Sequence, residues 1–153
     1  MITSTVRDLS NGVGSTMPSE TVAAPFIDAV RLERASSASQ LPGVRFQAIH
    51  YKPFYGRFHG RYVDEPLQGV RLRVIDVQQR RPLSTSVAIL ETLRGLYPRQ
   101  LGSVDDRTLG TRWGDATLRR QPEQGLSAEE IADSWAEEQS ASAADRQRGL
   151  LYD

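Results

Sequence analysis

The chain has 153 residues, 39% of them hydrophobic, with 19 Lys+Arg against 19 Asp+Glu. That is enough for one domain with its own core, and it leaves no net field to draw in nucleic acid or an anionic membrane. A chain this long buries roughly 70% of the surface its unfolded form exposes, so no covalent staple is required.

Cysteine is absent, which excludes disulfides, thiolate nucleophiles and zinc-thiolate centres. His50 and His59 are the only imidazoles, too few for a His-rich metal site and little to build a Ser-His-Asp triad from, so neither a metal nor another cofactor is expected. No apolar run approaches the ~18 to 20 residues of a membrane span. The opening MITSTVRDLSNG lacks the basic-then-apolar plan of a signal peptide. The chain therefore reads as soluble and without an export address, cytoplasmic by default.

In chain order, the first 24 residues are rich in Ser, Thr, Gly and Pro (LSNGVGSTMPSE) and read as a loop or frayed arm. LSNGVGST lacks the spacing, the lysine and the preceding strand of a phosphate loop, so no nucleotide site is assigned to it. FIDAVRLERASSA at 26–38 spaces Ile27, Val30 and Leu32 as in a short helix, with Asp28 favouring its first turn and LPG at 41–43 ending it. VRFQAIHY at 44–51 alternates Val44, Phe46 and Ala48 with Arg45 and Gln47, the period of a half-buried strand. A second strand over 70–77 sets Val70, Leu72 and Val74 against Arg71 and Arg73.

The connection between these strands is about 17 residues, long for a hairpin and so a candidate functional loop. It begins YKPFYGRFHG, five aromatic or imidazole rings beside Lys52 and Arg57 in an aromatic-poor chain. The segment near 83–97 then places Ile89, Leu90, Leu93, Leu96 and Tyr97 on one face of a helix that Pro98 closes. Ser127 and Glu130 form a capping box that opens a last helix near 127–148. These elements make an α+β fold, a small sheet packed by helices.

Taken in order, LSNGVGSTMPSETVAAPFID, LPGVRF, the KP of YKPFY, GVRLRVID, RPLSTSVAILETLRGLYP, GLSAEEIADSW and the final LLYD resemble the C-terminal part of the NamZ-type exo-β-N-acetylmuramidase family. The resemblance runs from about residue 9 to 152. It implies a bacterial, peptidoglycan-processing origin in a glycoside hydrolase family. Its members pair a Rossmann-like domain carrying the catalytic carboxylates with a smaller α+β ancillary domain, and are commonly exported. On this basis residues 1–25 match the end of a missing catalytic domain as a flexible arm, and 26–153 form the ancillary domain. The implied chain is a fragment, a split gene product or a degenerate paralogue, with no catalytic residue of its own.

Departures from the family pattern point the same way. Where the family resembles E-G-T-N-x-S-x-G-R-G-T, this chain has Thr5 in place of the acidic residue and Val13 in place of the arginine. Glu20 matches the acid of P-F-E, T-P-T becomes Lys52-Pro53-Phe54, and Gln139 and Ser142 weaken the apolar face of the last helix.

Two readings of the ring-rich loop remain open. In one, His50, Lys52, Tyr55 and Arg57 line a wall of a sugar cleft, the rings facing a pyranose and the cations facing the lactyl carboxylate of N-acetylmuramic acid, with Glu20 and Asp76 as further substrate contacts. In the other, Phe54, Tyr55 and Phe58 fold over the sheet while the cations snorkel to water, and Asp76 caps the turn before the helix at 83–97. The partners implied are a glycan containing N-acetylmuramic acid and a separate catalytic domain, with no nucleic acid. A non-catalytic glycan-binding or partner-assembly module is the alternative function.

Overall fold

The period-2 stretch at 44–51 folds as an eight-residue strand that buries Val44 and Phe46 and exposes Arg45 and Gln47. In the computed structural model, which describes residues 6, 8–54, 62–101, 130 and 133–149, it is one of three strands. The element order is β1 (Thr21–Ala24), α1 (Ala29–Ala38), β2 (Val44–Tyr51), β3 (Leu67–Val74), α2 (Pro82–Leu96) and α3 (Ala136–Gly149). The sheet order is β1-β3-β2 and both pairings are antiparallel, so β1 and β2 run the same way on either side of β3. The result is the expected α+β arrangement.

Register fixes which residues share a face. Val22 stands opposite Val70, which stands opposite Ala48, while Phe46 faces Leu72 and Val44 faces Val74. This apolar face joins Ile27, Leu32, Ile89, Leu93 and Tyr97 in one core, to which Val6 and Leu9 also belong. Gly69 is required where β1 meets β3. A Cβ there would collide with the Val22 carbonyl and come within 2.6 Å of Ala23 Cα, so a larger residue would push the two strands apart.

Helix α1 starts at Asp28, whose carboxylate accepts a 2.9 Å hydrogen bond from the Arg31 amide as an N-cap. Ala29, Leu32 and Ser36 form its buried face, laid over β2 and β3, and α2 packs against α1. Val30, assigned to the apolar face from spacing, is 48% exposed. Helix α2 opens with Pro82, whose missing N–H costs nothing at that position, and buries Val87, Ile89 and Leu93. Its last carbonyls are approached by Tyr97, whose amide donates to the Leu93 carbonyl at 2.8 Å.

Three sequence expectations shift. Residues 21–24, read as loop, form β1 and are buried throughout, and Ser10 and Ala23 exchange backbone hydrogen bonds of 2.8 and 3.0 Å. The second strand lies at 67–74 rather than 70–77. The chain turns at Ile75, held there because the Ile75 and Asp76 amides both donate to the Gly43 carbonyl. Helix α3 falls within the expected 127–148 span plus one residue, but Ser127 is outside the described residues, and every α3 residue whose burial is described is exposed. AEEQSASAADRQRG has only alanines to offer a core, so α1 and α2 supply the apolar cover that α3 lacks.

Candidate functional site

The β2–β3 connection, residues 52–66, leaves the sheet where Tyr51 pairs with Leu67. Lys52 comes first beyond the strand. Its ammonium sits 3.4 Å from the Asp64 carboxylate, with both side chains more than half exposed. Asp64 adopts a left-handed backbone (φ 62°) tolerated by aspartate, and its amide donates to the Pro53 carbonyl at 3.0 Å, which folds the loop back on itself. Phe54 is 69% exposed, an aromatic face held open to solvent.

The glycine-rich segment read as a loose arm braces this end of the sheet. Phe54 donates its amide to the Gly14 carbonyl at 2.8 Å. The Tyr62 hydroxyl donates to the Asp8 carbonyl at 3.1 Å, and the Tyr51 hydroxyl shares hydrogen bonds with Ser10 (2.9 Å) and Thr21 (3.3 Å). The segment is itself fixed by Ser15 donating to the Gly12 carbonyl and by Asn11 accepting from the Val13 amide. At Gly12, φ is 84°, and a Cβ would lie 2.6 Å from Thr21 Oγ1.

The sequence-predicted site residues are only partly brought together. His50 and Lys52 lie at the loop end, and His50 Nε2 is 3.1 Å from Gln68 Oε1. Glu20 lies beside β1, where it accepts from Arg71 Nε at 2.8 Å in an ion pair. Asp76 is at the other end of the β2–β3 pair, past Val74, about 25 Å from Lys52 at ~3.3 Å per strand residue. Its carboxylate accepts from the Gln78 and Gln79 amides at 2.8 and 3.2 Å, the geometry of a turn cap. Tyr55 and Arg57 lie outside the described residues. Sequence reasoning missed Asp64 as the partner of Lys52 and Arg71 as the partner of Glu20. The Asp-Glu-Pro turn at 64–66 was the available signal for the first. The second pairing spans 51 positions and left none.

Among the described residues, no three His, Asp or Glu gather as a metal site, and no helix is long and apolar enough to cross a membrane. Fold and surface together define an α+β domain with a polar, ring-bearing loop at one end of a three-stranded sheet. The chain belongs to the family described as exo-β-N-acetylmuramidase NamZ, C-terminal, whose model matches residues 3–152. It is 28% identical over 145 residues to the peptidoglycan β-N-acetylmuramidase NamZ of Bacillus subtilis (strain 168), a match covering 95% of this chain and 34% of that protein. It also superposes on the crystal structure of a DUF1343 family protein from Bacteroides fragilis NCTC 9343 with a TM-score of 0.86 and 26% identity. That match takes in 99% of this chain and 40% of the other. The chain thus spans between a third and two fifths of the length of these relatives.

Proposed function

We propose that the chain is the ancillary half of a peptidoglycan exo-β-N-acetylmuramidase, shaping one wall of a sugar cleft while a separate domain supplies the catalytic carboxylates. The observation that carries this reading is the conjunction of Lys52 and exposed Phe54 at one end of a chain matched over 95% of its length to 34% of a muramidase, and by the family model described as C-terminal. An aromatic face stacks on a pyranose, and an ammonium within reach of it discriminates for a carboxylate-bearing sugar. His50, Tyr55 and Arg57 belong to the same wall by their position in the sequence around Lys52. Glu20 contributes at the neighbouring edge, and Asp76 contacts substrate only where the catalytic domain folds over the far end of the sheet.

In this reading residues 1–25 lead out of the catalytic domain and 26–153 are the ancillary unit. β1 ends at Ala24, so in this reading that passage runs through the sheet itself. The reaction served is hydrolysis of the β-glycosidic bond to a terminal N-acetylmuramic acid, and the chain alone is inactive.

The purified chain should release no N-acetylmuramic acid from a cell-wall disaccharide, whereas it should bind the free sugar. Lys52→Ala should weaken N-acetylmuramic acid by about tenfold, the scale of one charge-assisted hydrogen bond, and leave N-acetylglucosamine unchanged. Calorimetric titration with the two sugars checks this. Equal loss for both would remove Lys52 from the cleft wall, and sugar release by the chain alone would remove the ancillary reading.

A further inference from the structure

The direction of the sheet's backbone groups follows from one bond. The Leu72 amide donates to the Glu20 carbonyl at 2.7 Å, so the even-numbered residues of β3 bond toward β1 and the odd-numbered ones toward β2. In β2 the partners of those odd residues are Arg45, Gln47, Ile49 and Tyr51. Val44, Phe46, Ala48 and His50 therefore turn their amides and carbonyls to the outer edge. The same parity sends Ala23 to the outer edge of β1, where Ser10 meets it through backbone bonds in both directions. Among the described residues, no backbone bond covers the outer edge of β2 in that way.

Space lies beside that edge. An open cleft of ≈ 300 Å³ separates the second half of α1 from the start of β2, with Glu33, Ser37, Gln40, Leu41, Val44 and Phe46 in its lining. Neither β3 nor α2 contributes to its walls, so it opens outward, alongside the strand. Strand β2 also lacks the features that commonly protect an edge. It is eight residues long, contains no proline, keeps an unbroken register with β3, and carries its arginine on the open face of the sheet.

We propose that this edge pairs with the same edge of a second copy of the chain, antiparallel about a two-fold axis at Gln47. That register joins Val44 to His50 and Phe46 to Ala48, and it uses every outward-facing residue of both strands. An axis at Phe46 would bring in Pro42, which has no amide to give, and an axis at Ala48 would reach Lys52, past the strand's end. The side chains agree with the Gln47 register. Phe46 lies opposite the small Ala48, and Arg45 lies opposite Ile49 rather than another cation. His50 of the second copy comes beside Val44 at the cleft, where Glu33 supplies an acid. Equal numbers of acidic and basic residues leave no long-range repulsion between copies. The two three-stranded sheets become one continuous sheet. The contact does not rest on the sugar-cleft reading, with which it shares only His50.

Cysteine cross-linking tests this directly, because the chain has no cysteine of its own. At the axis the two Gln47 residues form a non-hydrogen-bonded pair with Cα atoms ~4.5 Å apart, within the ~4.4–6.8 Å that a disulfide spans. With a mild oxidant, Gln47→Cys should give a disulfide-linked dimer. Arg45→Cys, also at an exposed position but ~13 Å from its counterpart at ~3.3 Å per strand residue, should not. Light scattering of the parent chain should show a mass that rises with concentration toward twice that of one chain. Ala48→Pro removes an amide that faces outward and bonds nothing within the sheet, so it should hold the mass at one chain while the single thermal transition is kept. If that variant does not fold, the two cysteine variants still decide. Equal cross-linking at positions 45 and 47, or a dimer indifferent to Ala48→Pro, would overturn the proposal. A parent chain that stays single at every concentration would overturn it too, and would leave the edge to a strand of another protein.

Discussion

Tyr97 ties the end of one helix to the start of another. Its hydroxyl accepts the Asp28 amide proton at 2.9 Å, its ring meets Phe26 edge-on at 5.7 Å, and the Arg31 guanidinium lies 5.9 Å from its centroid. Tyr97→Phe keeps the ring contacts and loses the hydroxyl, so urea unfolding should show a loss of about 1 kcal/mol. Gly69→Ala should cost more, about 1–3 kcal/mol, because the added methyl has backbone rather than a flexible side-chain tip in its way. The exposed Lys52–Asp64 pair belongs at the other end of this scale, since ion pairs in water contribute little to stability. The apolar spacing in the sequence identified Tyr97 as part of a helix face, but its contact with Asp28 spans 69 positions and no local pattern announces it.

Among the elements, those with a strong period were legible in the sequence. Strand β2 has the bounds its alternation implied, and α2 begins and ends within one residue of the stretch marked by Pro82 and Pro98. The misread elements share a physical cause. TVAA in β1 is four residues long and buried on both faces, so it offers no alternation to detect. In β3 the branched residues Ile75 and Val77 extend the apparent strand, yet they are 58% and 73% exposed beyond the turn held by Gly43. The site followed the same rule. The ring-rich loop was visible by composition, whereas the bracing of that loop by Gly14 and Asp8 depends on distant chain. Native-state hydrogen exchange should rank the elements by packing. Amides of β3, bonded on both sides, should exchange slowest, and those of the exposed α3 helix should exchange orders of magnitude faster.

For the whole molecule, the decisive question is whether the first 24 residues are an appendage. Leu9, Val22 and Ala24 belong to the same core as Leu32 and Leu93, and β1 covers one edge of β3. A chain lacking residues 1–24 should therefore lose the single sigmoidal thermal transition expected of the parent, as measured by circular dichroism. Retention of that transition would mean that the segment is dispensable, and its absence from the parent would favour a decayed remnant. The strand order carries a further consequence for biosynthesis. The middle strand is the last of the three to be made, so Thr21 and Val44 emerge from the ribosome long before Arg71 and Val74 exist to receive them. Neither early strand can find its neighbour in the nascent chain, and the sheet must close in one late event. A polypeptide released before Leu67 would contain two orphaned strands and no sheet.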